Sequence, residues 1–320
     1  MPENNNKQIS ARRRIGFTIM LWVIGITVLL AACESIARYF IAGPIDFIAL
    51  SGDPDLIYEL RPGHYRVDGI LFRIPEYDVA IDRNGCRVAA LDTPAGDPHD
   101  IPVLLIGDSF TFGDGVSGSQ TFPALIKTLL PGVRLINCGV PGYNLVQLAR
   151  AAELRVAQFN PALSLILVYR NDLKGALRLE RTPDAPTWLQ WLRRHSRLFR
   201  LFYIMHGWFA GDLGRLQPLP VSAAEKALVR IARIASAHRT VLIILREPSH
   251  PQIQFLQETQ RRGLRWYRTP PRFFDRSLQI PKNLHWTPEG QRRFAEWLAP
   301  LLAQELALSK STDATSYIRR

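Results

Sequence analysis

The chain is built from two alternating patterns: short, almost unbroken apolar runs, and longer stretches in which apolar residues return every three or four positions. The run at 103–106 has the length and β-branched ends of a strand buried on both faces, and 133–137, 163–168, 241–245 and 264–267 are further candidate strands. The stretches 121–130, 145–159, 223–237, 253–262 and 289–306 carry apolar residues at helical spacing. Strands separated by crossover helices imply a parallel sheet covered on both faces. The expected fold class over 101–306 is therefore α/β, with three layers.

The N-terminal third follows neither pattern. Residues 1–14 are polar and end in Arg12, Arg13 and Arg14, and the nineteen residues from Ile15 to Cys33 carry no charge. That is long enough to cross the hydrocarbon core of a bilayer as a helix. The arginines in front of it orient the N-terminus toward the cytoplasm and everything after it outward. We expect a cytoplasmic N-terminus at 1–14 and a single-pass signal anchor with its juxtamembrane segment at 15–42, in an inner membrane with the remainder periplasmic. Leu30-Ala31-Ala32-Cys33 also fits a lipoprotein processing site with Cys33 lipidated, and both readings put the rest of the chain on the same side. Residues 43–100 are rich in turn signals, with short candidate strands at 65–67, 70–74 and 77–81, and read as a small β-rich accessory segment.

A second interruption falls at 176–220. Trp188, Trp191, Leu192, Leu198, Phe199, Phe202, Met205 and Phe209 recur at roughly helical intervals, Arg193, Arg197 and Arg200 share the opposite stripe, and no acid lies between Thr187 and Ala210. Such a segment is either a lid packed on the domain or a helix lying in a membrane interface. Residues 307–320 read as a flexible tail.

Charge narrows the partners. The net charge of +12 and pI near 10.0 suit nucleic acid, anionic lipid or acidic glycan. No nucleic-acid module is present and the arginines are scattered among helices, so nucleic acid is not an expected partner. The three cysteines lack metal-like spacing. A bridge between Cys86 and Cys138 is possible outside the cytoplasm, while two buried free thiols are the simpler expectation.

The candidate chemistry centres on 107–116, Gly-Asp-Ser-Phe-Thr-Phe-Gly-Asp-Gly-Val, which follows the first long apolar run. A serine at the end of a parallel strand and ahead of a helix sits where open α/β sheets expose reactive groups. This stretch resembles the first signature block of the SGNH/GDSL family of esterases and lipases. The resemblance continues in order: Cys138-Gly139-Val140 after the second strand, Tyr169-Arg170-Asn171-Asp172 after the third, and His285-Trp286-Thr287-Pro288-Glu289-Gly290 before the last helix. It implies a flavodoxin-like α/β/α sandwich, Ser109 as nucleophile and His285 as general base. It further implies an oxyanion site made by the Ser109 N–H, the Gly139 N–H (Gly142 being the other choice) and the Asn171 amide. Asp108 would brace the loop. No cofactor or metal is implied. Tyr169 stands where the family has glycine, and the 82–87 turn resembles a segment that precedes the catalytic domain in membrane-anchored relatives, with Cys86 in an aromatic position.

One element is missing. The family carries an aspartate just before the histidine, and this chain has Lys282 and Asn283. Asn283 can accept a bond from the imidazole but brings no charge. The site then works as a Ser-His dyad helped by Asn283, or a carboxylate from elsewhere such as Asp275 joins it, or hydrolysis is lost. The expected function is a membrane-anchored serine esterase removing O-acyl, chiefly O-acetyl, groups from an envelope or exported polysaccharide. The alternatives are an acyltransferase using the same site and a non-catalytic glycan-binding or assembly protein. Oligomeric state stays open.

Overall fold

The computed structural model describes residues 3–40, 47–67, 75–90, 97–173, 219–246 and 251–317, with 188, 191–192, 196–199 and 202. The chain divides into two compact units, one formed by Met1–Pro44 and Ala185–Ala210, the other by Ile45–Asp184 and Gly211–Arg320.

The first unit is led by helix α1, Glu3–Phe40. Its stretch Arg14–Arg38 is long and apolar enough to cross a membrane, and side chains such as Phe17, Leu21 and Trp22 stand exposed along it. At its far end the Glu34 carboxylate accepts hydrogen bonds from Ser196 Oγ (2.8 Å) and the backbone N–H groups of Arg197 (2.9 Å) and Leu198 (3.0 Å).

The second unit contains an eight-stranded mixed sheet. In chain order its strands are β3 (Gly63–Val67), β4 (Tyr77–Ile81), β5 (Arg87–Val88), β6 (Ile101–Ile106), β7 (Val133–Asn137), β8 (Leu163–Val168), β9 (Thr240–Ile244) and β10 (Arg265–Arg268). A separate hairpin pairs β1 (Ile48–Leu50) with β2 (Tyr58–Leu60). Across the sheet the order is β10-β9-β8-β6-β7-β5-β4-β3. The five strands from β10 to β7 are parallel. Renumbered among themselves they run 2-1-3-4-5, the flavodoxin-like order, whose switch point between the first and third strands opens a crevice at their carboxyl ends. That switch point lies between β6 and β8.

Period-two alternation divides the sheet into two cores. Leu104, Ile106, Ile166 and Val168 face α4 (Leu145–Phe159) and α5 (Val221–Ala237); Val103, Leu105, Leu165 and Leu167 face α3 (Phe122–Leu129) and α7 (Pro288–Tyr317). Both faces are thus covered, as continuous apolar strands require. The remaining helices are the single turn α2 (Ser109–Phe112) and α6 (Pro251–Arg261).

In the accessory segment β5 pairs antiparallel with β7, β4 with β5 and β3 with β4, so these strands extend the main sheet, with Arg87 registered against Asn137. Of its candidate strands, 70–74 lies outside the described residues. Cys86 and Cys138 are not free thiols but form a disulfide, Cα–Cα 4.3 Å, which closes a separation of 52 residues. Loop-closure entropy over that length contributes about 4 kcal/mol. The pairing was hard to read from sequence because the β5–β7 contact that brings the two cysteines together is itself non-local. Helix α7 extends as far as Tyr317.

Candidate active site

Strand β6 delivers the chain to Gly107 and Asp108 at the switch point. Asp108 caps α2, its Oδ1 accepting from the Phe110 N–H at 2.9 Å, so Ser109 becomes the first residue of a helical turn. The Ser109 N–H, like the first N–H groups of any helix, has no carbonyl partner within the turn. Gly113 closes the turn with φ 85°, a left-handed conformation that costs glycine little.

The loop after α2 is clamped from the sheet extension. Arg87, buried on β5, donates to the carbonyls of Phe112 (2.8 Å), Gly113 (2.6 Å) and Val116 (2.5 Å), and its guanidinium lies 4.5 Å from the centre of the Phe112 ring. Burial lowers its pKa to about 10, so it remains a cation at neutral pH. From β7, Asn137 donates to the Thr111 carbonyl at 2.9 Å.

His285 arrives on a loop fixed by its neighbours. Trp286 is fully buried and donates its indole N–H to the Phe273 carbonyl at 2.8 Å. Gly290 lets the loop close, because a Cβ there would lie 2.5 Å from the Leu278 carbonyl oxygen. Phe110 completes the floor, its ring 5.1 Å from the His285 ring, 5.0 Å from Trp286 and 4.4 Å from Tyr169. Tyr169, where a glycine was expected, fills the apolar wall and stacks on Phe274.

At the centre His285 Nε2 lies 2.7 Å from Ser109 Oγ, across 176 residues of sequence. Behind it, Asn283 Oδ1 lies 2.6 Å from His285 Nδ1 and also accepts the His285 backbone N–H at 2.9 Å. The amide oxygen can only accept, so this network assigns the ring proton to Nδ1 and leaves Nε2 free to take the serine proton. Asp275 does not join the site; it stands between two 3₁₀ turns, with no ion pair to His285 among the described residues. The carboxylate near the imidazole is Asp114, whose Oδ2 lies 3.9 Å from Nε2 on the serine side. Tyr77 donates its hydroxyl to Asp114 Oδ1. Burial, then the Asp114 charge, holds the Tyr77 hydroxyl well above the usual phenol range, so it stays a donor. Sequence reasoning missed this pair, although Asp114 belongs to the same signature stretch as the serine.

Of the oxyanion groups, Asn171 is placed at the end of β8 beside Asp108. The Gly139 N–H donates to Asn137 Oδ1 at 3.1 Å. Its lack of a side chain serves packing, since a Cβ would lie 2.5 Å from the Phe112 nitrogen and 2.8 Å from the Thr111 carbonyl carbon.

Beneath the nucleophile lies a pair of buried carboxyls, Asp108 and Asp172. Burial, countered by the Phe110 N–H, leaves the Asp108 pKa raised to about 6; burial and the Asp108 charge push Asp172 well above the usual carboxylate range. Asp172 Oδ2 accepts the Tyr169 N–H, while Asp108 Oδ2 and Asp172 Oδ1 are buried without partners. A proton held on Asp172 and donated to Asp108 satisfies both. Because both groups titrate higher when folded than unfolded, their contribution to stability is full below about pH 4 and is lost as pH rises, for Asp108 through about 6 and for Asp172 through its own raised value. Asp172→Asn keeps the donor and removes one charge. Melting temperatures across that range will therefore fall less steeply with pH in the variant; an unchanged slope counts against the shared proton.

No group of three or more His, Cys, Asp or Glu side chains is arranged to hold a metal among the described residues.

The chain matches no protein-family model and no curated protein. Among solved structures it is similar to a putative lipolytic protein of the G-D-S-L family from Desulfitobacterium hafniense DCB-2, with 14% identity, TM-score 0.41, and coverage of 63% of this chain and 99% of that one. It is also similar to TesA, with 15% identity, TM-score 0.41, and 64% and 99% coverage. A third is a catalytic mutant of Axe2, an acetylxylan esterase from Geobacillus stearothermophilus, with 16% identity, TM-score 0.37, and 66% and 95% coverage. Likenesses this distant leave the chemistry to the site itself.

Proposed function

We propose that the chain is a serine esterase of the SGNH type, held at the inner membrane by α1 and acting on O-acyl, chiefly O-acetyl, groups of an extracytoplasmic polysaccharide. The observation that carries this reading is the Ser109–His285–Asn283 chain of contacts, 2.7 Å and 2.6 Å, at the switch point of a flavodoxin-like sheet. In this reading Ser109 Oγ attacks the ester carbonyl while His285 Nε2 takes its proton. The Ser109 N–H and the Asn171 amide receive the developing oxyanion. His285 returns the proton to the departing alcohol, and an incoming hydroxyl then releases the acyl group by the same steps in reverse. Asp114 supplies the negative charge that Asn283 lacks.

Location is supported by three features. The span has arginines on one side, which favours a cytoplasmic N-terminus. The disulfide suits an oxidising compartment. The charge of +12 suits an anionic glycan or lipid surface. Transfer to a sugar hydroxyl instead of water would use the same groups, so the acceptor is a matter for measurement.

The test is active-site labelling of the full-length chain in detergent. An alkyl phosphonate carrying an aryl leaving group should label Ser109 and stop turnover of an aryl acetate. A folded protein that remains unlabelled at Ser109 while a control esterase reacts would end the assignment. Adding acetylated or deacetylated polysaccharide to the acyl-enzyme then shows whether water or a glycan hydroxyl accepts the group.

A further inference from the structure

The aromatic segment 188–202 has no part in the chemistry above. Among the described residues, every Trp or Phe whose side chain is largely exposed lies in the first unit: Phe17 and Trp22 on α1, and Trp188 (61%), Trp191 (59%) and Phe202 (66%) on this segment. The exposed large apolar residues of the second unit are Leu129, Leu154, Val221, Val229 and Leu284, which are aliphatic and scattered along its sequence. These exposed rings belong to the same unit as the helix that is apolar enough to span a bilayer.

We propose that the described residues of this segment, 188, 191–192, 196–199 and 202, lie in the lipid–water interface on the exit side of α1, a reading that rests on α1 being a transmembrane span. Glu34 sets the depth. It is the first charged residue after the uncharged stretch 15–33, which puts it at head-group level, and it holds Ser196, Arg197 and Leu198 there through three hydrogen bonds. Ser196 Oγ in turn accepts the Phe199 N–H at 3.0 Å, carrying the tie into the next turn. Tryptophan rings favour this depth, where an apolar face meets lipid and the indole N–H meets water. Arg193, Arg194, Arg197 and Arg200, with no acid between Thr187 and Ala210, match the anionic head groups of such a surface. The occupant of this face is therefore phospholipid.

Tryptophan quenching in lipid nanodiscs of phosphatidylglycerol and phosphatidylethanolamine tests it with the full-length chain. Subtracting the emission of the Trp188→Phe, Trp191→Phe variant from that of the parent isolates the two indoles, and the phenyl replacements keep an aromatic ring at each exposed position. The difference emission should be blue-shifted, quenched by lipids brominated near the head-group end of the acyl chain, and spared by aqueous iodide. Emission quenched by iodide and untouched by brominated lipid overturns the proposal, because the segment is then in water. Emission shielded from both overturns it as well, because the rings are then packed on protein. The span is read separately: the Trp22→Phe difference should be quenched by lipids brominated near the end of the chain. Loss of that signal alone faults the span, and loss of the Trp188 and Trp191 signal alone faults the interface.

Discussion

Ser109→Ala and His285→Ala each lower kcat/KM for a soluble aryl ester by about 10³-fold to 10⁶-fold, and the double variant is no worse than the poorer single one. The expectation follows from the 2.7 Å contact between Oγ and Nε2. Neither group has a chemical role without the other, since the hydroxyl needs a base and, without the serine, no acyl-enzyme forms for the imidazole to release. Their losses therefore overlap and do not add. Ser109→Ala removes one oxygen from a largely buried site and leaves the Asp108 cap on α2 in place, so thermal unfolding should change little. Kinetic constants and melting curves on the same preparations decide the matter. Turnover in Ser109→Ala within a few fold of the parent would exclude the serine as nucleophile.

Asp114→Asn lowers kcat by about 10-fold to 100-fold and leaves KM close to the parent value. During attack His285 becomes a cation, and Asn283 can orient that cation but cannot neutralise it. Asp114 Oδ2 stands 3.9 Å from Nε2, where a pair of unit charges interacts by about 4 kcal/mol at an effective dielectric constant near 20. Partial exposure of both side chains reduces this, to the lower figure implied by the expected rate loss. Asn283→Asp supplies the missing charge from the other side of the ring, so it should raise kcat in the parent and rescue part of the loss in Asp114→Asn. Tyr77→Phe gives a smaller loss, since it removes the donor to Asp114 and leaves the carboxylate. If Asp114→Asn kept full kcat while Asn283→Asp raised it, Asp114 would be a structural residue only.

Much of this site could be read from sequence because its parts are local. Each signature block is a strand end and the loop after it, and an apolar run followed by small or polar residues announces that arrangement without knowledge of the partner strand. The positions of Ser109, Asn171, Asn283 and His285 are singled out in this way. What sequence did not reveal depends on pairing at a distance. Tyr77 and Arg87 lie on strands whose own alternation is visible, but only their attachment beyond β7 brings them to the serine loop. Asp114 was in plain view and still passed over, because nothing in a loop sequence tells which aspartate turns toward an imidazole 171 positions later. The contact of the Gly139 N–H with the side chain of Asn137, two residues earlier, is likewise visible only in the fold.

The Arg87 clamp bears on where the working enzyme begins. A fragment cut at the first parallel strand would keep all the recognisable blocks and most of both apolar cores, yet three carbonyls of the serine loop would lose their cation and Asp114 would lose its phenol. Such a fragment would look intact by sequence alignment and be a poor catalyst. The minimal unit for expression, screening or transplantation onto another anchor therefore starts upstream of Tyr77, and sequence comparisons confined to the later blocks will miss part of what makes them work.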